Sequence, residues 1–179
     1  KDVPLITFNG ISKSYLGPGL RIGWGIVSGD NAVMKDYIAA INKILRARLC
    51  ANHPIQFAVK PALEGDQSHL KTVREKLRSR RDLTTKMLND IPGISCVKPE
   101  GAFYAFPRLH IDGSDEHFVK ELIKATGVVV VHGSGFGQVP GTQHFRVVFL
   151  PPEDILKKAY ASIADFFKSY VSQHARLTV

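Results

Sequence analysis

Two side chains in the first two dozen residues could do chemistry together. Lys13 lies in the run Asn9-Gly10-Ile11-Ser12-Lys13-Ser14-Tyr15-Leu16-Gly17-Pro18-Gly19-Leu20-Arg21-Ile22-Gly23-Trp24, and Arg21 follows it by eight residues. A lysine amine condenses with an aldehyde to a Schiff base, and arginine offers a forked, permanently charged clamp for a phosphate dianion. The pair suits a carbonyl cofactor that carries a phosphate. Taken alone, Lys13 also reads as an ordinary surface lysine in a loop. A third candidate is Arg146, in His144-Phe145-Arg146-Val147-Val148-Phe149-Leu150. An arginine in such an apolar run sits badly on a strand buried on both faces, because an unpaired buried charge is costly. A buried arginine needs an anion, a substrate or an acid of the protein itself; the other reading is an arginine at the rim of the strand.

The elements that must position these groups follow from the hydrophobic pattern. Val3-Pro4-Leu5-Ile6-Thr7-Phe8 reads as a short buried strand that opens into the Gly-rich loop, and Ile22, Trp24, Ile26 and Val27 as a second strand leading away. Ser28-Gly29-Asp30-Asn31 marks a turn and cap before a helix over 32–49, with apolar Met34, Ile38, Ile41 and Leu45. A shorter helix follows Asn52-His53-Pro54, since proline is tolerated in a first helical turn. After Gly65-Asp66 comes a long helix with the stripe Leu70, Val73, Leu77, Thr84 and Leu88, broken by Ile91-Pro92-Gly93. Beyond it the pattern predicts a strand pair around 94–97 and 102–106, a helix over 115–126, a strand over 128–131, the Arg146 strand, and a last helix after Pro151-Pro152. Strands alternating with helices predict α/β layers, with a domain boundary near Gly65.

Composition narrows the partners. The 179 residues, 44% hydrophobic and 22% charged, suffice for one substantial core or two small ones. Cys50 and Cys96 lie far apart with no CxxC pairing, which fits a reduced, cytoplasmic setting. No run is long and apolar enough to span a membrane, and no secretory signal pattern opens the chain. The net charge of +8 raises nucleic acid as a rival partner. Much of that charge is Lys71, Arg74, Lys76, Arg78, Arg80, Arg81 and Lys86, on the polar faces of the long helix, with no interleaved aromatics to stack bases. A solvated face is the preferred reading. Gly133-Ser134-Gly135-Phe136-Gly137 lacks the third glycine of a dinucleotide fingerprint, which would fall at Gln138, and gives no GxSxG elbow, so Ser134 reads as a turn residue. His110, Asp112, Asp115, Glu116 and His117 are read as the capped start of a helix rather than a metal site. His132 and His144, flanking the glycine loop, are read as surface loop histidines, the alternative being groups that support a substrate channel.

The Lys13 loop resembles the lysine signature of the class I and II aminotransferases, the fold-type I enzymes that use pyridoxal phosphate (PLP). It matches at Gly10, Ile11, Ser12, Lys13, Gly19, Arg21 and Gly23. It departs at Gly10, where many members carry a serine that touches the phosphate, and at Gly17, where an apolar residue is usual. Residues 127–137 and 144–150 resemble the C-terminal part of the same family, and Pro99-Glu100-Gly101-Ala102-Phe103-Tyr104 resembles a segment between. The stretch after Val128, with HGSGFG and HFRVVFLPP, looks most like the alanine aminotransferase branch.

The resemblance implies an α/β fold in two parts. Residues 1–64 would be the C-terminal part of the large PLP-binding domain, a three-layer α/β/α sheet. Residues 65–179 would be the small α/β domain with the long interdomain helix. Family members are roughly twice as long, as expected of proteins with more than one domain, so the chain is expected to be the C-terminal part of one. The implied activity is transfer of an amino group between an L-amino acid, alanine in that branch, and a 2-oxo acid such as 2-oxoglutarate. Lys13 would carry PLP as a Schiff base, Ser12 and Arg21 would complete the cofactor contacts, and Arg146 would pair with the substrate α-carboxylate. The resemblance further implies a cytoplasmic homodimer at full length, with no metal, nucleic acid or membrane partner. The chain alone is expected to be inactive, because the family's pyridine-nitrogen acid, stacking ring and phosphate-binding helix terminus precede the lysine. The competing readings are another PLP-dependent fold-type I enzyme, a synthase or lyase, and a basic non-catalytic nucleic-acid-binding module.

Overall fold

In the computed structural model, which describes residues 3–174, the chain divides into two units between Lys71 and Thr72. That division falls in the first turn of the long helix, a few residues past the boundary expected near Gly65.

In the first unit, strand β1 (Leu5–Gly10) pairs antiparallel with β2 (Gly23–Ser28), in a register that sets Asn9 opposite Trp24 and Gly10 opposite Gly23. The glycine pair has a steric cause. A Cβ on Gly23 would stand 2.9 Å from Asn9 O, and one on Gly10 would stand 3.0 Å from Ile22 O. The buried strand expected over 3–8 is instead largely exposed, with Phe8 at 78%. Two strands alone cannot cover their own faces; a ribbon needs a further layer for that. Helix α1 is a single turn (Ile11–Ser14), entered by Ile11 N donating to Ile22 O at 3.2 Å.

Helix α2 (Asn31–Arg46) starts where Asp30 accepts from Ala32 N at 2.8 Å. It stops short of the expected residue 49. Ala47 N, Arg48 N and Leu49 N each bond three residues back, tightening the last turn, and Leu49 takes a left-handed φ of 73°. Helix α3 (His53–Glu64) carries Pro54 in its first turn.

Helix α4 (Ser68–Asn89) buries Thr84 and Leu88 and leaves Lys71, Arg74, Lys76, Arg78 and Lys86 exposed, as its stripe predicts. The sheet of the second unit differs from expectation. Strand β3 (Ile94–Ser95) and strand β4 (Tyr104–Ala105) do not pair with each other. β3 pairs with a strand missed in the sequence, β5 (Arg108–Leu109), and both β4 and β5 pair with β7 (Gln143–Val148). Pro107 interrupts the ladder because it has no N–H to give, but its carbonyl accepts from Phe145 N at 3.1 Å, so pairing continues across the gap. The strand expected over 128–131 shrinks to β6 (Val131–His132), opposite Arg146 and Phe145 of β7. Before it, Val128 N bonds Thr126 Oγ1 at 3.1 Å, and Val129 is exposed.

Helix α5 (Asp115–Thr126) is bounded by the Ser114 cap and by Gly127, whose φ of 71° suits a residue without Cβ. Helix α6 (Glu153–His174) buries Leu156, Tyr160, Ile163 and Phe167, one helical stripe. These meet Leu88, Phe118 and Phe145 in one core. Inside it Thr84 Oγ1 and Tyr160 Oη are 2.8 Å apart, and burial pushes the Tyr160 hydroxyl up to about 12. Among the described residues no helix is long and apolar enough to cross a membrane.

Candidate functional site

In the first unit, Ser12 and Lys13 lie on α1, and Arg21 lies just beyond the short 3₁₀ turn Pro18–Leu20. Lys13 is exposed and Ser12 half-buried. Both tyrosine and glycine amides beyond them, Tyr15 N and Gly17 N, return to Ile11 O at 3.2 Å, which winds the loop back on the helix. The two departures from the family pattern have local causes. At Gly17 a Cβ would press to 2.8 Å from Ile11 Cγ2 and 3.0 Å from Leu20 Cδ1; at Gly10 it would sit tightly, 3.0 Å from Ile22 O and 3.2 Å from Gly23 Cα. Asn9 Oδ1 instead accepts from Gly10 N at 2.7 Å and from Ser14 Oγ at 3.5 Å. Arg21 holds a left-handed φ of 52° and gives Nη1 to Pro18 O at 2.9 Å. That bond uses one of five N–H donors, so the exposed fork retains the donors a phosphate takes. An amine, a hydroxyl and a guanidinium on one loop form a donor set that fits PLP.

In the second unit, Arg146 stands on β7 between buried Phe145 and Val147. Its Nε is buried and has no hydrogen-bond partner. The guanidinium carbon lies 4.2 Å from the centroid of the Phe136 ring and 4.9 Å from that of Tyr104. Among the described residues no carboxylate forms an ion pair with it. Of the two partners the sequence leaves open, the internal acid is therefore missing among the described residues.

Phe136 ends a 3₁₀ turn (Gly133–Phe136) that is held from one side by Asp115. This carboxylate is only 2% exposed, and its Oδ2 accepts from Gln138 Nε2 at 2.8 Å, Ser134 N at 3.0 Å and His144 N at 3.4 Å. Burial opposes its charge, but the bonds from Gln138, Ser134 and His144 prevail and hold the carboxyl below its ordinary range. Gly133 is required here, since a Cβ would strike Gln138 and stand 2.6 Å from His144 Cβ. The sequence reading of Asp115 as one more acid at a helix start is thus too weak. Ser114 does the capping, accepting from His117 N at 3.3 Å, and Asp115 ties the glycine turn to β7. Among the described residues no group of His, Cys, Asp and Glu is arranged to hold a metal.

The flanking histidines are also more than loop residues at a surface. His144 stacks on Phe106 at 4.8 Å with ring planes 8° apart, and its Nδ1 lies 3.1 Å from Gln138 Oε1. Burial, with the charge of Arg108, pushes its pKa down. His132 Nδ1 lies 2.7 Å from Ser134 Oγ. Sequence reasoning missed Phe136 and Tyr104; the available signal was an aromatic ring set among glycines.

The mixed α/β fold is that of part of a fold-type I aminotransferase. The family described as aminotransferase class I and II matches residues 1–163, and the chain belongs to that family. It is 39% identical to an alanine aminotransferase of Mycobacterium tuberculosis, over 94% of this chain and 41% of the relative. It is 37% identical to the glutamate-pyruvate aminotransferase AlaA of Escherichia coli, over 94% of this chain and 43% of the relative. Among solved structures, an alanine aminotransferase from Pyrococcus furiosus superimposes with a TM-score of 0.88 at 43% identity, covering 94% of this chain and 43% of the other. The chain spans about two fifths of the length of the curated relatives it matches.

Proposed function

We propose that this chain is part of a PLP-dependent aminotransferase that transfers an amino group between an L-amino acid, alanine, and a 2-oxo acid such as 2-oxoglutarate. The observation that carries the reading is Arg146, a half-buried guanidinium clamped by two rings, with an unpartnered Nε and no carboxylate of its own among the described residues. A fork so prepared is completed by a carboxylate, the group that amino acid and 2-oxo acid share. PLP, when bound, supplies the aldehyde that captures the substrate amine and a ring that draws electrons from Cα.

The remaining work falls to the chain. Lys13 would hold the cofactor aldehyde through its amine and, as a free amine, would take and return the proton at the substrate Cα. Arg21 neutralises the phosphate, and the Ser12 hydroxyl is a further donor to it. Arg146 would fix the carboxylate, which limits how the substrate Cα–H bond can turn.

The substrates are small molecules, and alanine is supported by the relatives named above. Nucleic acid is left out. Part of the α4 charge is already engaged: Lys86 with Asp90 at 2.6 Å, Arg81 with Asp82 at 2.8 Å, and Arg80 with the Leu150 carbonyl. Cys50 and Cys96 are both free, in keeping with a cytoplasmic setting, and the full-length protein is read as a homodimer. The test is borohydride reduction of the full-length protein with PLP, followed by peptide mapping. Label on Lys13 is the expected result, and label on another lysine alone overturns the assignment.

A further inference from the structure

Asp115 has no part in the roles above, yet its carboxylate accepts three hydrogen bonds. Its three donors bracket the aromatic clamp. Ser134 and Gln138 lie two residues before and two after Phe136, and His144 lies two residues before Arg146 on β7. One oxygen, Oδ2, thus fastens the turn that carries Phe136 to the strand that carries the guanidinium. The anchor is itself fixed. Asp115 N donates to Gln143 Oε1 at 3.2 Å, and the N-terminus of α5 favours the charge. Tyr104, the second ring, is set by the pairing of β4 with Val148 of β7. With its Cζ over the rings of both Phe136 and Tyr104, the guanidinium is restricted in where it can offer its N–H fork.

We propose that Asp115 is a positioning residue for carboxylate recognition: by tying the 133–138 turn to β7 it keeps Phe136 against Arg146 and so sets how the fork is presented to the substrate carboxylate. This rests on the reading of Arg146 as the carboxylate site.

The experiment uses the full-length enzyme, with KM and kcat measured for the amino acid and for the 2-oxo acid. Arg146→Lys should raise both KM values by about tenfold or more, since it keeps charge but loses the fork. Asp115→Ala should raise both by about tenfold with kcat kept within about twofold, and Asp115→Asn, which retains an acceptor oxygen without the charge, by about threefold. In the Arg146→Lys background, Asp115→Ala should add less than about twofold, because both changes act on one group. A purely structural role would lower kcat through the folded fraction and leave both KM values in place. If Asp115→Ala does not fold, Asp115→Asn decides by the same split. Unchanged KM in the folded Asp115 variants, or effects that multiply fully in the double variant, overturn the positioning role while a raised KM in Arg146→Lys leaves the carboxylate site standing. Unchanged KM in Arg146→Lys removes the carboxylate site and this inference with it.

Discussion

The two units hold their basic groups in opposite ways. Arg146 stands on a strand whose neighbours Phe145 and Val147 are 0% and 4% exposed, and its clamp is tied down by a buried acid. Lys13 stands on a single helical turn between two exposed strands, and Ile11, Ile22 and Met34 are the buried hydrophobics among the described residues of its unit. The second unit prepares its guanidinium through its own packing. The first displays a motif whose chemistry is plain while its surroundings within the chain stay thin. A signature in the sequence and a preorganised group in space are therefore separate properties, and this molecule has one of each.

The contrast can be broken most severely at Lys13. Lys13→Ala in the full-length protein should lower turnover by at least about a thousandfold, as expected when nucleophile and proton carrier are lost together. PLP should still associate through Arg21, because a phosphate contact needs no bond to the amine. Single-turnover assays beside PLP absorbance measure both, and residual activity near wild type would return Lys13 to the status of a surface lysine.

Stability should divide the units next. Phe118→Ala, in the core of the second unit, should cost about 3–5 kcal/mol in denaturant unfolding of this chain. Phe8→Ala, on the exposed ribbon, should stay within about 0.5 kcal/mol. Equal losses would mean that the ribbon is packed in solution, and the comparison would fail.

The smallest effect depends on pH. The Asp115 carboxyl titrates below its ordinary 3.8, so its charge contributes stability that is complete above that value and lost as pH falls through the lowered one. Asp115→Asn should cost about 1–2 kcal/mol at neutral pH, with the gap closing in acid. Urea titrations at a series of pH values measure it; a gap that persists unchanged in acid would show that charge is not what Asp115 contributes.

Much of the architecture was legible where local chemistry decides it. Helix α5 spans 115–126 as the pattern predicts, and the C-terminal end of the α4 stripe, Thr84 and Leu88, is buried. The strand pairing was not legible. β5 is two residues long and follows Pro107, so it has no alternation to detect, and its absence left β3 and β4 to be paired wrongly. The basic candidates Lys13, Arg21 and Arg146 stood out because each is a charge in an unusual neighbourhood. Phe136 and Asp115 did not, since their meaning lies in contacts reached only when a turn, a helix start and a strand converge. Glycine at positions 10 and 17 looked like loss of a family residue; in space each lies where a Cβ would meet close backbone or methyl neighbours.

The register that sets Trp24 opposite Asn9 has an optical consequence. Trp24 is the chain's one tryptophan, and it lies half-buried on β2, whereas Tyr104, Tyr160 and Tyr170 belong to the second unit. Selectively excited indole emission is thus a signal from the Lys13 ribbon. Far-ultraviolet dichroism draws heavily on the long helices α4 and α6. If the units melt separately, the two signals will trace different curves on one sample, and the ribbon can be followed through unfolding without any added label.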